Sequence, residues 1–260
     1  MNRQMKQIAK LILGKRLLNA ALRLGTVVSD RQGYRSYSQE GEDRVLASLL
    51  FKIRGGKEAT DGYYVDVGAH HPYRYSNTCF FYQRGWQGIN IDAMPGSMAA
   101  FRKERPRDIN VESGIGRQAG TSKFFVFNVP ALNTFDEDLA KARTNDAWHV
   151  THTVDVPIAP LSEVLKQHLP KGRAIDFLTI DVEGFDLDVL QSNDWERYRP
   201  SIVLVETFGR SVDDLALDPV TGYMRSLGYV PYSKTVNTTL FVDGIFTKQA
   251  AVSSSDKSTG

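Results

Sequence analysis

Cysteine is almost missing from this chain: Cys79 stands alone among 260 residues. A single cysteine excludes an internal disulfide and fits a reducing compartment, so a cytoplasmic protein is expected. Long apolar runs are missing too. None reaches the roughly 18 residues that mark a membrane-spanning helix. Charge of either sign is nearly balanced, at a net +2. That excludes a general polyanion binder, and no nucleic-acid partner is expected. Glycine is scarce where a dinucleotide loop would need it. After Gly68 in VDVGAHH no second or third glycine follows at the fingerprint spacing, and no Gly-Lys-Ser/Thr forms a phosphate loop. An NAD-linked oxidoreductase is therefore a poor fit.

Acidic residues are absent from one stretch in particular. Residues 1–25 carry Arg3, Lys6, Lys10, Lys15, Arg16 and Arg23 and no acid, which leaves the remainder of the chain at −4. Met5, Ile8, Leu11, Ile12, Leu18 and Leu22 recur at helical spacing. The segment reads as a basic amphipathic helix, with basic interruptions that do not suit a signal peptide. Such a helix lies on an anionic membrane, or it packs on its own domain or a dimer mate; peripheral membrane contact and a homo-oligomer are both open. The end of the chain, AAVSSSDKSTG, is small and polar and is expected to be disordered.

What the chain does have is a 42% hydrophobic composition, enough for one large domain. After residue 36, apolar strands alternate with helices. Helices are expected over 37–53 with Ser38 as cap, 75–86, 96–106, 160–169, 185–198 and 219–229. Strands are expected over 62–68, 87–93, 108–116, 174–184 and 200–208, with two more around TSKFFVFNV and HVTHTVDVP and a closing hairpin over 230–244. This order implies α/β architecture: a mostly parallel sheet with helices on both faces and an antiparallel edge. His149 and His152 fall on opposite faces of a strand and are not a metal pair.

Four strands end in an acid: Asp66, Asp92, Asp181 and Glu206. In an open parallel sheet these ends form the ligand rim. Bare carboxylates there are costly unless they meet donors or a cation. Asp92 ends the strand after the glycine turn, where an acid accepts from the hydroxyls of an adenosine ribose. Adenosine without pyrophosphate, beside an acidic rim, points to S-adenosylmethionine.

SQEGED (38–43), DVGAHHPYRYSNT (66–78), INIDAMPGS (90–97 within it), RPRDINVESGIG (105–116), IDFLTIDVEGFDLDVL (175–190) and RPSIVLVE (199–206) together resemble the FkbM-type methyltransferases. The resemblance covers about residues 36–245, with 1–35 as a basic lead-in and 246–260 as a tail. It implies a Rossmann-like seven-stranded class I methyltransferase fold and S-adenosyl-L-methionine as donor. It further implies O-methylation of a sugar in a surface polysaccharide or its precursor, or alternatively of a polyketide-type or other small natural product. On the matching positions it places Asp66 and Gly68 under the methionine half of the cofactor. Asp92 falls on the ribose, Ser113 beside the adenine, Gln39 over the methionine end, and Asp181 near the methyl group with Glu183 behind it.

A sugar hydroxyl needs help to lose its proton, and the candidates for base are His70, His71, Asp181 and Glu183. No metal is favoured; if one were held, Asp181, Glu183 and Glu206 would suit Mg²⁺ or Mn²⁺. The insert over 128–149 is the candidate acceptor lid, with Asn133 and Thr134 to bond a sugar and Trp148 to stack on it. The reading in a different class is a non-catalytic Rossmann-like binding module.

Overall fold

The computed structural model describes residues 35–57, 60–207 and 211–244. Contacts divide the chain into two units, 1–36 and 37–260. The expected N-terminal helix and C-terminal tail lie outside the described residues. Among the described residues no helix is long and apolar enough to cross a membrane.

The second unit is built on a seven-stranded sheet. Its parallel part comprises β1 (Tyr63–Val67), β2 (Gln87–Asp92), β3 (Ile109–Glu112), β7 (Phe177–Ile180) and β8 (Ile202–Glu206). β10 (Thr238–Asp243) runs antiparallel beside β8 and pairs with the edge strand β9 (Tyr229–Lys234). The order is β3-β2-β1-β7-β8-β10-β9. Chain order reverses between β1 and β7, and that is where a crevice opens at the carboxyl ends.

All five residues of β1 are buried, as a strand covered on both faces must be. Alternation splits its neighbours into two cores. Val65, Val67, Ile89, Ile91, Ile180, Val203 and Val205 face one side, packed by α5 (Leu161–His168), α6 (Asp186–Gln191) and α7 (Pro219–Ser226). Tyr64, Phe177, Ile202, Leu204 and Leu240 face the other, covered by α1 (Glu42–Ile53) and α2 (Cys79–Tyr82). The fold class expected from the sequence is thus the one observed.

Several boundaries differ. The helix expected over 37–53 begins only at Glu42, because Ser38 and Asp43 bond each other reciprocally and close residues 37–41 into a loop. The helix expected over 75–86 shrinks to four residues, since Ser76 and Thr78 are drawn into a buried polar network, and it ends in a turn at Gly85, φ +95°. The helix expected over 185–198 ends at Gln191. The strand expected over 108–116 is divided. Residues 109–112 join the main sheet, while β4 (Gly114–Ile115) starts a second sheet, order β4-β6-β5, with β5 (Gly120–Phe127) and β6 (Val150–Ala159). The insert between β5 and β6 carries a 3-10 turn at Pro130–Leu132 and α4 (Glu137–Arg143), with α3 (Met98–Glu104) earlier in the chain.

Candidate active site

Register decides which acids reach the rim. Val67 lies beside Ile91 and Ile180, and Ile180 beside Val205. Gly68, Asp92, Asp181 and Glu206 therefore form one row across four strands. Asp66 is two residues lower, level with Asn90 and Thr179, and buried. Of the four strand-end acids, three stand at the rim and one lies in its floor.

A cleft of about 360 Å³ opens over this row, a size suited to a small ligand. Gln39, Gly68, His70, His71, Asp92, Ser113, Asn133, Asp181 and Glu183 all line it. Asp66, Thr134, Trp148 and Glu206 do not.

Gly68 is required by its surroundings. Its φ is +85°, and a Cβ there would fall 1.8 Å from the Asp181 carbonyl oxygen. The close approach is held by the Asp181 N–H, which donates to the Val67 carbonyl at 3.0 Å. His70 follows at φ +52°, a conformation uncommon for a side-chain-bearing residue. Its backbone N–H donates to Asp92 Oδ2 at 2.8 Å, and the Met94 N–H donates to Asp92 Oδ1 at 2.9 Å. The Asp92 carboxylate is thereby fixed with lone pairs left for further donors. Ser113 donates to the Gly114 carbonyl at 2.9 Å, and its own N–H donates to the Asp92 carbonyl.

The two histidines are not equivalent. His71 Nδ1 accepts from the N–H groups of Tyr73 and Arg74, at 3.0 and 3.1 Å. Its proton therefore sits on Nε2, and it cannot take another as base without losing those bonds. This corrects its assignment as a candidate base: it is a loop histidine that shapes the turn. His70 faces the cleft, with its ring stacked 6.3 Å from that of Tyr75. Burial lowers its pKa, partly offset by Asp92, so the imidazole is neutral near pH 7.

Of the acids, Glu183 has Arg143 as an ion-pair partner, whereas Asp181 is surrounded by other carboxylates. The Asp181 side chain meets water in the open cleft, yet protein crowds it elsewhere. Burial, followed by the carboxylates of Glu206, Glu183, Asp66 and Glu42, pushes its pKa up to about 8. Cleft water screens part of that push. Burial pushes Glu206 up to about 7, reinforced by Glu183 and Asp186 and eased by Arg143. Asp186, buried under the turn after β7, is also pushed up to about 7 by burial and by Asp181. Burial raises Asp66 to about 6, against the Thr78 hydroxyl that donates to it at 2.7 Å.

Below the rim lies a buried cation that was not among the expected site residues. Arg105 is fully buried. It donates to Thr78 Oγ1 at 2.7 Å, Ser76 Oγ at 2.8 Å and the Pro72 carbonyl. One cation thus moulds the turn over residues 70–78 and, through Thr78, supports Asp66. Asp108 completes the floor, accepting from Tyr64 Oη at 2.6 Å, the Gly88 N–H at 2.9 Å and Asn90 Nδ2 at 3.0 Å.

The insert contributes less to the cleft than expected. Asn133 lines it, though its Oδ1 is taken by the Phe127 N–H at 2.8 Å. Thr134 is buried and donates to the Glu183 carbonyl at 3.0 Å while accepting from the Asp136 N–H. It is a tie between segments, not a sugar contact. Trp148 is 47% exposed on a turn held by Asn145 Oδ1, away from the cleft lining. Glu183 is committed to Arg143, 2.5 Å away. Among the described residues no three His, Cys, Asp or Glu converge in a geometry that could hold a metal ion. Asp181, Glu183 and Glu206 therefore do not form the contingent triad, because Arg143 occupies one of the three.

The sheet order, with its antiparallel last-but-one strand and a cleft at the reversal point, defines a Rossmann-like class I methyltransferase fold. The family model described as the methyltransferase FkbM domain matches residues 66–231, and the chain belongs to that family. Among solved structures, the methyltransferase FkbM from Methylobacillus flagellatus KT is similar at 16% identity with a TM-score of 0.43, over 76% of this chain and 47% of that one. This chain therefore spans about half the length of that protein. The O-methyltransferase from Bacillus cereus, solved in complex with SAH, is similar at 12% identity and a TM-score of 0.37, over 86% and 90% of the two chains. A TehB-like SAM-dependent methyltransferase from Corynebacterium glutamicum is similar at 11% identity and a TM-score of 0.38, over 88% and 99%. No curated protein matches the chain significantly.

Proposed function

We propose that the protein is an S-adenosylmethionine-dependent O-methyltransferase acting on a sugar hydroxyl of a surface glycan or its precursor. The observation that carries the reading is the single row of Gly68, Asp92 and Asp181 along one cleft. The donor set fits this cofactor. Gly68 lets the Asp181 backbone pack directly against the first strand turn, which sets the cleft floor. Asp92, pre-oriented by two backbone N–H groups, has lone pairs for the ribose hydroxyls. Ser113, Met94, Ile115 and Phe124 offer a mainly apolar slot for a base. Asp181, crowded by other carboxylates, suits sulfonium and ammonium charge. When bound, S-adenosylmethionine supplies a methyl group on a sulfonium, a leaving group good enough for direct displacement.

Much of the catalysis then comes from alignment. The Asp181 carboxylate, whose raised pKa matches a base working near neutrality, would take the proton from the acceptor hydroxyl. His70, neutral and facing the cleft, is the second group able to take that proton. Polar groups at Gln39 and Asn133, beside the exposed Tyr75 ring, suit a sugar, which offers hydroxyls on its rim and an apolar ring face.

The test is transfer of labelled methyl to a panel of neutral sugars, sugar nucleotides and surface glycans, with and without chelator. The expected result is a methyl ether formed equally in both arms and slowed at least about 100-fold by Asp181→Asn. No transfer, together with no binding of S-adenosylhomocysteine, would sink the reading. Binding with no turnover of any acceptor would favour a non-catalytic module.

A further inference from the structure

We propose that Arg143 and Glu183 are a positioning pair, latching the β5–β6 insert to the turn after β7 so that the acceptor wall of the cleft stands in place beside Asp181. This rests on the methyltransferase reading above.

The insert supplies Pro130, Ala131, Asn133 and Phe135 to the cleft lining, and the turn supplies Asp181, Glu183 and Phe185. The two segments lie about forty residues apart in sequence, so something must hold them together. Three contacts do so. Arg143, in the last turn of α4, pairs with Glu183 Oε2 at 2.5 Å, each side chain about three-quarters buried. Thr134 Oγ1 donates to the Glu183 carbonyl at 3.0 Å. The Phe135 ring meets Phe185 edge-on, with centroids 6.1 Å apart. Glu183 thus receives the insert through both its side chain and its backbone.

Glu183 also sits at φ +56°, followed by Gly184 at φ +106°. A side-chain-bearing residue in that region is strained and persists only where its surroundings over-determine it. Here two bonds from the insert do so. Half-buried ion pairs of good geometry fix orientation more than they add stability. Arg143 is outside the cleft lining, so it acts on the acceptor only through Glu183 and the wall.

The test is a double-mutant cycle with Arg143→Met, Glu183→Gln and the pair, plus Arg143→Lys. Two readouts are taken: amide exchange over residues 130–144, and steady-state kinetics with the best acceptor from the panel. Each single variant is expected to speed exchange there and raise acceptor KM about tenfold, with S-adenosylhomocysteine affinity within about twofold of the parent. The double variant should equal either single, and Arg143→Lys should recover part of the loss.

Additive losses, or exchange that does not change, would overturn the latch. So would a loss of kcat of about 100-fold in Glu183→Gln with acceptor KM unchanged and Arg143→Met active, since that marks Glu183 as the base. Exchange needs no turnover. If the parent transfers no methyl at all while exchange responds as stated, the latch stands and the methyltransferase reading falls.

Discussion

Replacing Gly68 by alanine probes the contact on which the cleft floor depends. The new Cβ would lie 1.8 Å from the Asp181 carbonyl oxygen and 2.8 Å from its carbonyl carbon. Ordinary contact needs roughly 3.4 Å, so one backbone segment must move by about 1.5 Å against the other. Neither atom belongs to a flexible side chain that could swing away. The φ of +85° adds about 1 kcal/mol of conformational strain for a residue with a Cβ. Separating the strands also stretches the bond from Asp181 N–H to the Val67 carbonyl, worth about 1 kcal/mol. With the clash itself, the loss should reach about 3–4 kcal/mol. It should displace Asp181 and with it the cofactor floor. Denaturant unfolding followed by calorimetric titration with S-adenosylhomocysteine reads both effects. A Gly68→Ala protein within about 0.5 kcal/mol of the parent, with unchanged affinity, would refute the argument.

Arg105→Met keeps most of the side-chain volume but strips a buried cation from Thr78, Ser76 and the Pro72 carbonyl. Unfolding should show a cost of about 3–5 kcal/mol, with faster amide exchange over residues 70–78. The apo protein should lose stability as pH rises from about 6.5 to 8.5. Asp186 and Glu206, near 7, and Asp181, near 8, all bind protons more tightly folded than unfolded, so ionising them favours the unfolded chain. His70 and His71, with lowered values, act in the opposite sense but below about pH 6.5. A fall in Tm on the order of 2–4 °C is expected over that window, allowing for cleft water around Asp181. Over the same window the affinity for S-adenosylmethionine, a sulfonium cation, should rise relative to the uncharged thioether S-adenosylhomocysteine; a constant ratio by titration calorimetry would contradict the acidic-rim argument.

Much of this site can be seen in the sequence because parallel strands carry continuous apolar runs that stop at the rim. YYVD, INID, LTID and LVE each announce both the strand and the acid that ends it. What cannot be read there is register. Asp66 resembles the other three acids, yet pairing places it two residues lower and buries it. Arg105 reads as one more basic residue in FRKERP, and only the fold reveals that the chain turns inward there. A hint was present in Asn90 and Asp108, polar residues set in or beside apolar strands, which need buried partners. The insert misled for a related reason. Thr134 and Trp148 have the chemistry of sugar contacts, but Thr134 is spent on tying the insert to the Glu183 carbonyl. Trp148 lies on a turn whose direction depends on Asn145 and Asn128.

The most direct measurement of the account is the affinity of the intact protein for S-adenosylmethionine at pH 8, compared with Asp92→Ala. That side chain lines the cleft and accepts from two loop N–H groups, so its removal tests the cofactor site with limited damage to the core. Micromolar binding by the parent, weakened at least about tenfold by Asp92→Ala in a protein that still folds, is the predicted result. No binding by the folded parent, or equal binding by both, would contradict it.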